Sequence, residues 1–368
     1  MKNIKSAVGK RIHSSLKSFG LSVAALIAAL ICGAVIIGAS GFSPIETYTA
    51  IVAGSLGNPK GIVLSLSQAT PLMFTGIAFA IAYRVKIVNL GAEGQLHAGA
   101  MASALVGCMI TGLGAGPHLL LALAAGALAG GLVGLFTGFL KVRFRAQEVI
   151  TSIMINEIII LFTSYLCNGP VKAAGSVTPQ TEKIMETARL PRLVPRSQLT
   201  VAILLIVVIA ILLQLLLKKT ALGYEMRVTG FNLRAAKTAG INVNRVYLLT
   251  FFMSSAIAGL CGSALVLGVN GRFVEDLSAN YGFGGISVAA LAMYNPVAAL
   301  FSAVIFGILK AGALTVNRTT SIPIEFVSVI QALVVVFVAA PMLMNRILTA
   351  GERFRKKGSL QAEGGKGA

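Results

Sequence analysis

Apolar residues in this chain gather into long blocks separated by short polar stretches. Ten blocks read as candidate membrane spans: residues 20–40, 62–83, 96–113, 119–140, 149–168, 199–217, 246–269, 283–294, 297–316 and 324–344. Several run for about 20 residues without a formal charge, as a hydrocarbon core ~30 Å thick requires of a helix. The block at 283–294 is short enough to be a half-span or a re-entrant helix. None shows the two-residue alternation of a membrane barrel, and glycine and alanine dominate them. The expected fold class is therefore all-α: a polytopic membrane protein of about ten transmembrane helices.

The polar stretches orient it. Basic residues cluster before the first block and after every second one, as in Arg84 and Lys86, Lys141 to Arg145, Lys218 to Arg245 and Arg346 to Lys357. The positive-inside rule places these clusters, and both termini, in the cytoplasm. The division that follows is a basic cytoplasmic tail at 1–19, a permeation domain at 20–345, and a disordered basic tail at 346–368. Within the domain, 218–245 is the long cytoplasmic loop and 169–198 the long external one.

Only 12% of residues are charged, yet the formal net charge is +19. Topology and contact with anionic lipid account for that excess, so nucleic-acid binding is unneeded. The first block exceeds the ~7–15 apolar residues of a cleavable signal and reads as a retained anchor. Cys32, Cys108, Cys167 and Cys261 are scattered through apolar blocks, which suits packing rather than a disulfide framework or a zinc site. Small residues four apart, at Gly126, Gly130 and Gly134, predict close helix contacts.

Enzymatic readings fail on inventory. Asp276 is the single aspartate, and no G-x-x-x-x-G-K-[ST] loop is present to cradle a nucleoside triphosphate. Gly38-Ala-Ser-Gly41 has a serine-protease form but sits at a helix end with no histidine assigned to it. No catalytic residue and no cofactor are expected. Glu93 and His97, four apart, lack a third ligand and read as a polar pair rather than a metal site.

Three polar segments could carry transport. Asn89-Leu-Gly-Ala-Glu-Gly-Gln95 places Asn89, Glu93 and Gln95 at a membrane entrance, either as a structural re-entry turn or in contact with a solute. In the fifth block Thr151, Ser152, Asn156 and Glu157 recur at near-helical spacing, and a carboxylate at Glu157 must face protein, water or a partner. That segment lines a polar pathway or clamps helices together. Lys310 lies inside a block with a stem long enough to snorkel to the outer interface. In the cytoplasmic loop, Asn232 reads as an N-cap, 233–239 as a short helix and Gly240 as its stop. That helix suits docking into a partner's groove or a solvated connector.

Four of these stretches in this order resemble the permease subunits of bacterial ABC importers for simple sugars and nucleosides, nearest the purine-nucleoside branch. They are Asn89 to Gln95, Lys141-Val-Arg-Phe-Arg-Ala-Gln-Glu-Val-Ile-Thr-Ser-Ile-Met-Ile-Asn156, Gly230-Phe-Asn-Leu-Arg-Ala-Ala-Lys-Thr-Ala-Gly-Ile241 and the run from Gly282 to Pro296. The turn Met293-Tyr-Asn-Pro296 departs from the usual pattern of that family. The resemblance implies residence in the bacterial plasma membrane, a separate cytoplasmic ATPase, a second permease subunit and an extracytoplasmic binding protein. It also implies that Gly230, Asn232, Arg234, Ala235, Ala236 and Gly240 form the ATPase-coupling element. Asn89, Glu93, Gln95, Thr151, Asn156 and Glu157 are the expected substrate-pathway residues, and an uncharged nucleoside the expected solute. A simple sugar such as ribose, or an ion-coupled secondary transporter using Glu157, are the competing readings, with a non-transporting scaffold behind them.

Overall fold

The computed structural model describes residues 27–319 and, beyond them, four helical positions, Val329, Ala332, Leu333 and Val336. The two tails, the start of the first block and most of the last block lie outside the described residues. The chain divides into two units, one of its two ends (Met1–Thr49 with Thr320–Ala368) and one of Ala50–Thr319. In the first, α1 (Ile27–Ala39) is tied to the start of α2 (Pro44–Leu56) by the Tyr48 hydroxyl, which donates to the Leu30 carbonyl at 2.6 Å.

The larger unit holds α3 (Pro59–Tyr83), α4 (Ala92–Met109), α5 (Ala115–Phe144), α6 (Glu148–Asn168) and α7 (Ala202–Lys219). It continues through α8 (Ala221–Phe231), α9 (Leu233–Thr238), α10 (Val243–Ala264), α11 (Tyr281–Leu291) and α12 (Pro296–Thr319). Among the described residues, six helices are long and apolar enough to cross a membrane: α3, α5, α6, α7, α10 with its extension to Asn270, and α12. Two expected spans fall outside that set for physical reasons. α4 carries Glu93, Gln95 and His97 in its first turns, and α11 has 11 residues, about 16 Å of helix, half a bilayer core.

Two helices stand where connections were expected. α2 rises from Pro44 at its first position, with Glu46 in its first turn, and is too short and too polar to register as a span. In the cytoplasmic loop α8 precedes the short helix; Thr220 caps it by accepting from the Gly223 N–H at 3.1 Å.

The core is built on small residues. α10 packs along α5 where a Cβ added at Gly126 would strike Ser263, one at Gly130 would strike Gly259 and one at Gly134 would strike Ser255. Gly99 of α4 meets the same Gly259, and Ser103 donates to Ser263 at 2.6 Å. Backbones thus approach where lipid offers no hydrophobic drive for association. The segment 169–201 folds over one end of this core. Ile184, Leu190 and Thr181 donate backbone bonds to Gly271, Leu267 and Phe273, and Met185 donates to Gly107. His118, fully buried, bridges Thr187 (2.8 Å) and the Val106 carbonyl (3.1 Å).

Candidate functional site

α10 ends in one π turn, Leu265–Asn270, and the chain then leads to a buried Ser278 bonded to Glu93 of α4. Residues 271–280 form this re-entrant segment. Asp276, Ala279 and Asn280 all adopt positive φ, so α11 starts from a backbone that turns sharply inside the protein. The buried start of α11 has partners. Thr75 of α3 donates to the Tyr281 carbonyl at 2.8 Å, and the Glu93 carboxylate accepts the Gly282 N–H at 2.7 Å and the Ser278 hydroxyl. A carboxylate from α4 therefore caps the positive end of a half-helix from another part of the chain, which explains why Glu93 tolerates burial at 4% exposure. Gly282 must be glycine here, since a Cβ would overlap the Glu93 backbone. Lys310 of α12 also meets this turn. Its Nζ donates to the Ala279 carbonyl at 3.3 Å and sits 3.9 Å from the Tyr281 ring centroid, fastening the same re-entrant turn.

Between this segment, α4 and α6 lies a cavity of about 340 Å³, within the range of small-molecule sites. Its walls carry Glu93 and His97 from α4, Glu157 and Ser164 from α6, and Glu275, Asp276 and Asn280 from the re-entrant segment. Phe273 and Phe283 supply apolar wall. No lysine or arginine lines it. Two of the four carboxylates are engaged within the fold, Glu93 as the cap and Glu275 by the Ser164 hydroxyl. Among the described residues no group of three His, Cys, Asp or Glu is placed to hold a metal ion.

The expected pathway residues separate into two groups. Glu93 and Glu157 reach the cavity. Asn89 and Gln95 do not: 1% and 0% exposed, they form a reciprocal amide pair with both bonds at 3.1 Å, and Asn89 also donates to Ser254 of α10 at 3.1 Å. Asn156 is also buried, with its carbonyl oxygen on the Gly94 N–H and its amide on the Leu90 carbonyl at 3.4 Å, so it holds the turn before α4 in place. Thr151 donates to the Gln147 carbonyl of its own helix at 2.9 Å, away from the cavity. The sequence reading missed Phe273, Glu275, Asp276 and Asn280. The available signal was a Glu-Asp pair, with the chain's single aspartate, between two apolar blocks.

At the cytoplasmic loop the Asn232 side chain accepts from the Arg234 and Ala235 N–H groups at 3.0 and 3.1 Å, and Gly240 turns the chain at φ +76°. Arg234 and Ala235 are exposed, whereas Ala236 is fully buried and faces the protein's own core. Gly230 lies in α8, not in the short helix, and packs against the Arg84 carbonyl at the end of α3. The exposed apolar surface here includes Phe231 (94%), Tyr224 (57%) and Leu233 (40%), and Tyr224, Arg227 and Phe231 line a depression of about 370 Å³. Where α5 meets α6, Lys141 and Glu148 pair at 2.6 Å. In the departing turn, Asn295 caps α12 through the Val297 N–H at 3.0 Å, and Tyr294 stacks on Tyr83 with centroids 3.7 Å apart.

A mostly helical bundle with several membrane-length helices and a polar, solute-sized cavity beside a broken helix defines a polytopic membrane transport protein. The chain belongs to the permease family described as "Branched-chain amino acid transport system / permease component", whose model matches residues 61–339. It is 33% identical over 341 residues to the guanosine ABC transporter permease protein NupP of Bacillus subtilis, covering 91% of this chain and 96% of that one. It is 29% identical over 352 residues to the nucleoside ABC transporter permease protein NupB of Lactococcus lactis, with 91% and 96% covered. Similarity to the glucose ABC transporter permease protein TsgB13 of Haloferax volcanii is also 29% over 352 residues, with 93% and 92% covered.

Proposed function

We propose that this permease forms the translocation pathway for nucleosides in an ATP-driven importer. Solute comes from an extracytoplasmic binding protein, a separate cytoplasmic ATPase hydrolyses ATP, and a second permease subunit, related or identical, completes the pathway. The assembly sits in the bacterial plasma membrane, with about ten spans in this chain, both termini in the cytoplasm, the loop at 218–245 facing the ATPase and the loop at 169–198 outside. The observation that carries the solute assignment is near end-to-end similarity to permeases named for guanosine and for nucleosides. The cavity supports it: acceptor groups and two phenylalanines suit a neutral ring bearing hydroxyls, and the absence of lysine or arginine from its walls disfavours phosphate and carboxylate.

α8 and α9 suit the ATPase contact. They present exposed aromatic and basic side chains, are capped at each junction, and rest on the end of α3 through Gly230, with Ala236 buried. Glu157 lines the pathway, while Asn89, Gln95 and Asn156 hold its wall in register. A simple sugar is the second reading, favoured by the glucose permease relative. Uptake of labelled guanosine by the assembled importer, with unlabelled nucleosides, ribose and glucose as competitors, decides between them. Competition by nucleosides alone is the expected result, and competition by the sugars alone overturns the assignment.

A further inference from the structure

The cavity has two kinds of polar group, those consumed by the fold and those left over. Glu93 and Glu275 are consumed, by the start of α11 and by Ser164. Glu157 and Asp276 line the cavity, and neither makes a hydrogen bond or ion pair with a described residue. The third leftover group is an imidazole beside Asp276. His97 is 4% exposed, lines the same cavity, and its Nδ1 is buried without a partner. That nitrogen has almost no surface of its own, so the imidazole belongs to the wall and the open acceptors of the cavity are the two carboxylates.

Charge and valence then restrict that ligand. Carboxylate oxygens accept hydrogen bonds, and two such side chains that make none within one small space favour a ligand that supplies N–H and O–H donors. Phe283, 39% exposed at the start of α11, offers an apolar face to a flat ring, while Phe273 is buried and meets the His97 ring edge-on at 6.0 Å. We infer that this cavity selects purine nucleosides that present two adjacent N–H donors on the base edge, the ring N–H and exocyclic amino group of guanosine, and that Glu157 is the specificity residue that accepts both. The inference rests on the nucleoside reading above and adds which edge is read and by which side chain. Inosine has the same sugar, ring system and ring N–H but lacks the amino group, so it forfeits one of the two bonds. Nucleotides bring negative charge against four carboxylates and are excluded.

The test uses the complete importer in proteoliposomes and compares initial uptake of guanosine and inosine by the wild type, Glu157→Gln and Glu157→Ala. The same binding protein delivers both solutes in every case, so a change in the ratio between variants originates in the permease. Glu157 is exposed and makes no internal bond, so both variants are expected to fold, and their amount in the membrane is matched before comparison. The expected result is a fall of about tenfold in the guanosine-to-inosine ratio: both rates fall, guanosine the more, because it loses two bonds to Glu157 where inosine loses one. An unchanged ratio overturns the inference, whether both rates persist or both fall together, while leaving the nucleoside reading intact. A wild-type importer that carries a sugar and neither nucleoside overturns the underlying reading instead.

Discussion

Replacing Asn89 by alanine probes the bond network that holds the cavity wall. Three buried groups lose a bond of 3.1 Å or shorter at once, both amide atoms of Gln95 and the Gly91 N–H, which donates to Asn89 at 3.0 Å, and the Ser255 hydroxyl loses a longer one of 3.4 Å. Ser254 is spared, because its hydroxyl still donates to the Ala78 carbonyl at 2.8 Å. At the ~0.6 kcal/mol average for interhelical bonds in membrane bundles the loss is about 2 kcal/mol, and at the low end of the desolvation penalty for orphaned groups it is about 3 kcal/mol. At roughly 2 °C per kcal/mol the melting temperature falls by about 4–6 °C. The chain has no tryptophan, so the assay is a thiol-reactive dye in detergent, reading the fully buried Cys167 and Cys261 as they become accessible. The Asn89→Leu/Gln95→Leu double variant leaves no buried amide and should be less destabilised than the sum of its singles. A melting temperature within about 1 °C of wild type for Asn89→Ala, or strict additivity in the double, would refute the network as an energetic unit.

Two further substitutions test the half-helix and the coupling element. Gly282→Ala places a methyl 2.5 Å from the Glu93 nitrogen, where ordinary contact begins at 3.4 Å; α11 must move away from α4, with a cost of about 1–3 kcal/mol and reduced uptake, and normal melting with normal uptake would count against the cap. Gly230→Val drives α8 from the Arg84 carbonyl, so the assembled importer should hydrolyse ATP with less solute moved per ATP, and an unchanged ratio would show that this contact transmits nothing.

What the sequence disclosed follows a physical line. Helices α3, α5, α6, α7, α10 and α12 were legible because a block of about 20 apolar residues has few other uses. The caps at Asn232 and Gly240 were legible because their chemistry is local: an amide two or three residues before an N–H, and a glycine where φ turns positive. Glu157 was legible as a lone carboxylate in an apolar block. The amide pair of Asn89 and Gln95 was not, since a polar side chain beside a glycine looks the same whether it meets solute or another amide. α2 and α8 were missed because neither has the length of a span nor a single uninterrupted apolar face. The re-entrant segment was missed because its Glu-Asp pair reads as an external loop until the fold brings Gly282 against Glu93.

An importer driven from the cytoplasm has to carry displacement from its loop to its solute site, and this chain offers a short route. Gly230 of α8 rests on Arg84 at the end of α3. Five residues on, Asn89 is bonded to Gln95 and to α10, and Asn156 grips the turn at Gly94 from α6. Within that turn Glu93 holds the start of α11 and forms part of the cavity wall. Proximity along such a route is not coupling in itself; a two-state element is needed at its end. α11 has the properties of one, being short, glycine-bearing at 282, 284 and 285, and attached at its buried end through one carboxylate, one threonine and the Lys310 contact. If α11 separates from Glu93, the carboxylate and the Gly282 N–H lose their partners together, a cost that a solute bearing its own donors offsets on the carboxylate side. The group that closes the wall is thus suited to respond to the solute, and in the proposed importer the same displacement that loosens the cap alters the cavity.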